Sequence, residues 1–173
     1  MLSPSEVKAK AQKLEEQNLK FRSFLKNRAD DDELDAQFRQ LHRELFADYD
    51  CCKCNNCCKA YPITLGHGEA AAIAEFFGQS KAEFIEEYLT ENPDSDEDEG
   101  EYAFKSVPCS FLDETGRCRI QSCKPDVCKG YPYTDQPDRL SSMLSIIGSA
   151  EECPVVFEIL ERLKVMYRFR GNR

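Results

Sequence analysis

The run Cys51-x2-Cys54-x2-Cys57-Cys58 constrains this chain more than any other feature. With Cys52 it puts five cysteines into eight residues, interleaved with Lys53, Asn55, Asn56 and Lys59. A free cysteine usually behaves as a small buried hydrophobe, but five of them in so polar a stretch cannot all be packed away. Cys109, Cys118 and Cys128 follow at C-x8-C-x9-C spacing, and Cys153 stands before Pro154. Ten cysteines among 173 residues fall below the roughly 8–10% that marks a disulfide scaffold. Nothing in the sequence suggests an oxidising compartment, so the thiols point to metal.

Two residues between cysteines let both sulfurs face one ion from a single turn, and thiolate is the soft donor that zinc and iron–sulfur clusters prefer. The candidate ligands are Cys51, Cys54, Cys57, Cys58, Cys109, Cys118, Cys128 and Cys153, enough for two four-coordinate sites. Adjacent residues serve one tetrahedral ion poorly, so Cys57 and Cys58 are expected to serve two centres or one bridged centre. The metal is open between two readings. Three sulfurs from a tight loop and a fourth from a remote Cys-Pro follow the ligand order of ferredoxin-type 4Fe-4S clusters, whereas paired C-x2-C with further cysteines suits a closed structural zinc site. Zinc is favoured narrowly over iron, because nothing in the chain demands redox chemistry. His67 reads as a surface imidazole and His42 as a boundary residue of a helix.

Fold class follows from periodicity around this cluster. Residues 1–50 are expected to form a helical hairpin. Ser3, Pro4 and Glu6 resemble a capping box ahead of an apolar face of Val7, Ala11, Leu14, Phe21 and Leu25. An acidic start at Asp30 to Glu33 precedes Leu34, Phe38, Leu41 and Leu45. Residues 51–173 are expected to form the cysteine-cluster metal-binding domain with a C-terminal helix. Within it, 51–62 reads as a loop, Glu69–Phe77 as a helix stopped by Gly78, and Ser80 with Glu83 as a second capping box. Asp113 to Gly116 supplies turn chemistry for a β-hairpin at Cys109 to Cys118, and the prolines of 121–140 predict irregular chain. The last helix carries Val156, Ile159, Leu160, Leu163, Met166 and Tyr167 on one side, with Arg162, Lys164, Arg168 and Arg170 as a basic end. The class is thus mainly α with a small β-hairpin, its irregular core organised by cysteine-ligated metal.

Charge narrows the partners. Residues 51–130 hold 15 acids against 8 bases in a chain of net charge −9, opposite to what phosphate neutralisation requires, so no nucleic acid is expected. The seven acids of Glu91 to Glu101, with no base, read as a solvated loop. No apolar run is long enough to span a bilayer, and Met1 to Glu6 has neither a basic nor an apolar leader region, which predicts a cytoplasmic protein with no membrane association.

Taken in order, Cys51-x2-Cys54-x2-Cys57-Cys58, Cys109-Ser110-Phe111-Leu112, Gly116-x-Cys118-x-Ile120, Lys124-Pro125-x2-Cys128 and Tyr131-Pro132 resemble the YkgJ-type cysteine-cluster proteins, CxxCxxCC, over about residues 51–155. The resemblance implies a cytosolic, mostly bacterial chelator of zinc or iron. Similar cysteine arrangements occur in flagellin-lysine methylases. Asn55 stands where that pattern commonly has glycine, Gln121 where it has tyrosine and Lys124 where it has arginine, and lysine lacks the planar two-pronged donor. Cys52 and Cys123 occupy positions the pattern leaves open and are not counted as ligands.

Three functions compete. The first is a non-catalytic metalloprotein whose centre organises the fold and whose helices meet a protein partner; the absence of GxSxG, HExxH and phosphate-loop motifs favours it. The second is an iron–sulfur redox or protein-modifying enzyme, and the third is metal storage or delivery.

Overall fold

The computed structural model describes residues 1–66, 68–92 and 101–171. Helices α1 (Val7–Arg28) and α2 (Asp31–Phe46) form as their apolar stripes require. Phe21, Leu25, Leu34 and Phe38 are fully buried, and the Asp30 carboxylate caps α2 by accepting the Glu33 N–H at 3.0 Å. The box expected at Ser3 forms only in part. Glu6 Oε2 accepts the Ser3 N–H at 3.2 Å, but the Ser3 carbonyl already takes the Glu6 N–H, so the hydroxyl turns to donate to the Glu6 carboxylate.

The cysteine-rich stretch forms two single-turn helices, α3 (Cys51–Cys54) and α4 (Cys57–Ala60), rather than a loop. Four residues are too few for hydrophobic periodicity to register. Strand β1 (Thr64–Leu65), α5 (Glu69–Phe77), α6 (Lys81–Tyr88), β2 (Leu89–Glu91) and β3 (Tyr102–Phe104) follow. The Ser80–Glu83 box is complete at the start of α6. Gly78 (φ 69°) ends α5, with its own N–H and that of Gln79 bonded to the Glu75 and Ala74 carbonyls. This left-handed stop is the Schellman arrangement that glycine serves without a Cβ penalty. A 3-10 turn (Gln121–Cys123) and α7 (Asp126–Gly130) lie within the stretch expected to be irregular. Helices α8 (Met143–Ser149) and α9 (Pro154–Met166) complete the chain.

The expected hairpin at Cys109 to Cys118 shrinks to a single bridge, Leu112 with Cys118. The three-stranded antiparallel sheet instead runs β1-β3-β2, with Leu89 opposite Phe104 and Thr64 opposite Ala103. Strand Tyr102–Phe104 thus finds both partners upstream in the chain. Most of the Glu91 to Glu101 loop expectation, residues 93–100, lies outside the described residues, as does His67.

Two compact units result, Met1–Asp50 with Pro132–Arg173, and Cys51–Tyr131. In the first, α9 packs on α1, α2 and α8. It ends at Met166, so Arg168 and Arg170 fall beyond its last turn, and Met166 is exposed. The one basic residue of that turn, Lys164, is buried and donates to Gln17 at 3.0 Å and Glu161 at 2.5 Å. In the second unit the core is apolar: Leu65, Ile73, Phe84, Phe104, Phe111 and Ile120, with Cys109, Cys118, Cys123 and Cys128 partly buried against it. Among the described residues, no helix is long and apolar enough to cross a membrane.

Candidate metal centre

Three chain segments of the second unit carry eight of the ten thiols. The first is the knuckle α3–Asn55–α4. Asn55 adopts φ 44° and donates its N–H to the Cys51 carbonyl at 2.8 Å, the closing bond of a left-handed helix stop. Asparagine tolerates that conformation better than most residues. Asn56 returns at once to helical angles and starts α4, so Cys54 ends one single-turn helix and Cys57 opens the next. Asn55 is also the one buried residue between positions 51 and 60.

The second segment is the turn from Cys109 to Cys118. The Asp113 carboxylate accepts from Thr115 N at 2.8 Å, Thr115 Oγ1 at 2.6 Å and Arg117 N at 2.9 Å, and these bonds, the Thr115 hydroxyl first, hold its pKa below the usual carboxylate value. Gly116 (φ 81°) approaches the knuckle so closely that a Cβ there would lie 2.3 Å from Asn55 Nδ2. At its other end the Cys109 N–H donates to the Cys58 carbonyl at 2.9 Å. Phe111, in the middle, lies 5.1–6.0 Å from the rings of Phe77, Phe84, Tyr88 and Phe104, which anchors this segment to the core.

The third is α7, which carries Cys128. Glu69 at the start of α5 accepts the Asp126 N–H at 2.6 Å with one carboxylate oxygen and the Gly66 N–H with the other, tying the first turn of α7 to the end of β1. The sequence reading missed Glu69, although its spacing of three from Gly66 follows the geometry of a capping box.

Several of these thiols lie within electrostatic reach of one another. A hydrogen bond with Cys57, helped by the Lys124 and Lys59 ammonium groups, lowers the Cys58 thiol to about 6. Burial pushes the Cys128 thiol up to about 12, with Lys124 opposing and Cys58, Cys109 and Cys118 adding to the rise. Burial likewise raises Cys109 and Cys118, and each also feels the charge of Cys58. Cys58 is therefore within electrostatic reach of Cys109, Cys118 and Cys128, the four coming from three separate segments, with Lys124 acting on Cys58, Cys118 and Cys128 and Arg119 on Cys109. Deprotonating all four in a half-buried space is opposed by their own repulsion, and a bound cation relieves it. The donor chemistry fits a soft or borderline ion.

Among the described residues, no group of three or more His, Cys, Asp or Glu side chains is gathered tightly enough to hold an ion, and no two cysteines form a disulfide. Of the other expected ligands, Cys51 is exposed and Cys54 and Cys57 are half-buried in the knuckle. Cys153 belongs to the first unit, where it is buried immediately before α9 with its N–H on the Ser149 carbonyl at 2.9 Å. Cys52 is exposed and within electrostatic reach of Cys118.

A family model for CxxCxxCC proteins, described as "Putative zinc- or iron-chelating domain", matches residues 50–154, a span that includes every cysteine of the chain. No curated protein and no solved structure matches.

Proposed function

The chain belongs to the CxxCxxCC family, and we propose that it binds zinc through cysteine thiolates, the ion holding the 51–131 unit in one conformation that a protein partner recognises. The observation that carries this reading is that Cys109, Cys118 and Cys128 all lie within electrostatic reach of Cys58. The four come from three segments, two of them joined by the Cys109 N–H to the Cys58 carbonyl. A thiolate set assembled from remote segments suits a structural ion, because binding then stabilises the folded arrangement directly. Cys51, Cys54 and Cys57, in the same unit, are proposed as further donors, to a second site or a bridged one.

Elemental analysis of the anaerobically purified chain tests the metal. The expected result is about one or two zinc ions per chain, as four-coordinate thiolate sites require, with no labile sulfide and no visible colour. A brown protein with iron and labile sulfide would overturn the zinc assignment. Serine substitution of Cys58, Cys109, Cys118 or Cys128 is expected to remove bound zinc, and substitution of Cys52 or Cys123 to leave it. Retention of full zinc by all four of the first variants refutes the proposed ligand set.

A further inference from the structure

Building on the metal site proposed above, we infer that Asn55 is a positioning residue for it, setting the distance between the cysteine knuckle and the turn that carries Cys118. The knuckle turns its thiols and lysines to partly or fully exposed positions and buries an amide instead: Asn55 is 8% exposed, against exposed Cys51, Cys52 and Lys53. Its Nδ2 lies 3.4 Å from the Cys52 carbonyl and 3.4 Å from the Gly116 carbonyl, so one side chain spans the knuckle and the facing turn. The fit is close on the other side as well, since the space a Gly116 Cβ would need is filled by this same amide. Gly116 is two residues from Cys118.

The backbone alone does not account for the residue. Glycine meets the φ of 44° with less strain than asparagine, so what asparagine adds at position 55 is the bridge. Its Oδ1 is buried and has no hydrogen-bond partner among the described residues, a cost of desolvation that the contact to Gly116 must offset. Asn55 touches no metal in this scheme. It acts through the separation of the thiols that do.

The test uses the full chain, stripped of metal, reduced, and titrated anaerobically with Co2+ as a spectroscopic probe, with Zn2+ affinity read by competition against a chromophoric chelator. Asn55→Gly keeps the backbone and loses the bridge. It is expected to bind the same number of ions about tenfold or more weakly, as for other residues that orient ligands, with altered ligand-field bands and an unchanged far-ultraviolet spectrum of the apo protein. Gly116→Ala is expected to weaken binding too, and by a smaller factor in the Asn55→Gly background, where the added methyl no longer meets the amide. If Asn55→Gly fails to fold, Asn55→Ser, too short to reach Gly116, carries the same expectation. Wild-type affinity and bands in the folded position-55 variant would overturn the positioning role alone. A wild-type chain that takes up neither Co2+ nor Zn2+ would overturn the metal site and this inference together.

Discussion

Single residues decide whether the cysteine-bearing segments are held in place. Phe111 is fully buried and touches four aromatic rings, and it follows Cys109 by two positions. Phe111→Ala leaves a cavity that neighbouring rings fill only partly, and urea unfolding is expected to show a loss of about 3–5 kcal/mol. Asp113 organises the next turn by electrostatics. Its pKa is lowered in the folded protein, so its contribution is complete above the ordinary carboxylate pKa and is lost as pH falls through the lowered folded value. Asp113→Asn is therefore expected to be less stable than wild type at neutral pH and equally stable in strong acid. Parallel urea titrations at the two pH values check this, and a difference that persists in acid contradicts it. The turn was legible in Asp113-Glu114-Thr115-Gly116. The burial of Asn55 was not, because nothing local marks which polar residue of a knuckle faces another segment.

Secondary-structure elements fall where their ends are signalled. Asp30 and Ser80 cap α2 and α6, and Gly78 terminates α5. An added Cβ at Gly78 would meet nothing within 4 Å, so Gly78→Ala isolates the backbone term. It is expected to lower stability by about 1–2 kcal/mol, the cost of a left-handed residue with a side chain, without altering metal content. A drop in bound metal in that variant would link α5 to the site in a way its contacts do not suggest. The elements that went unread are the short ones. Helices α3, α4 and α7 span four or five residues each, too few for a periodic signal, and hydrogen bonds to other segments hold α4 and α7. The β-hairpin was misplaced for a related reason. Turn chemistry at Asp113 is a strong local signal, but Tyr102–Phe104 pairs with strands that precede it in the chain, and pairing is a property of two segments.

At the scale of the whole molecule the two units differ in what stabilises them. The first buries long apolar helix faces such as Phe21, Phe38, Ile159 and Leu160. The second has short elements and an acidic balance in a chain of net charge −9, to which any thiol that ionises adds. Metal removal should therefore act on one unit. After chelation, hydrogen–deuterium exchange is expected to rise across residues 51–131 and to stay low in α1, α2, α8 and α9; equal protection with and without chelator would contradict a structural ion. The amino-acid sequence by itself determined the apolar faces, most of the caps, the left-handed stop at Gly78 and the wealth of soft donors, because each depends on residues within a turn or two of one another. Only the tertiary structure decided that Cys109, Cys118 and Cys128 lie within electrostatic reach of Cys58, that β3 lies between β1 and β2, and that Asn55 reaches Gly116. Contacts between segments separated by tens of residues depend on how the core packs, and no local spacing encodes them.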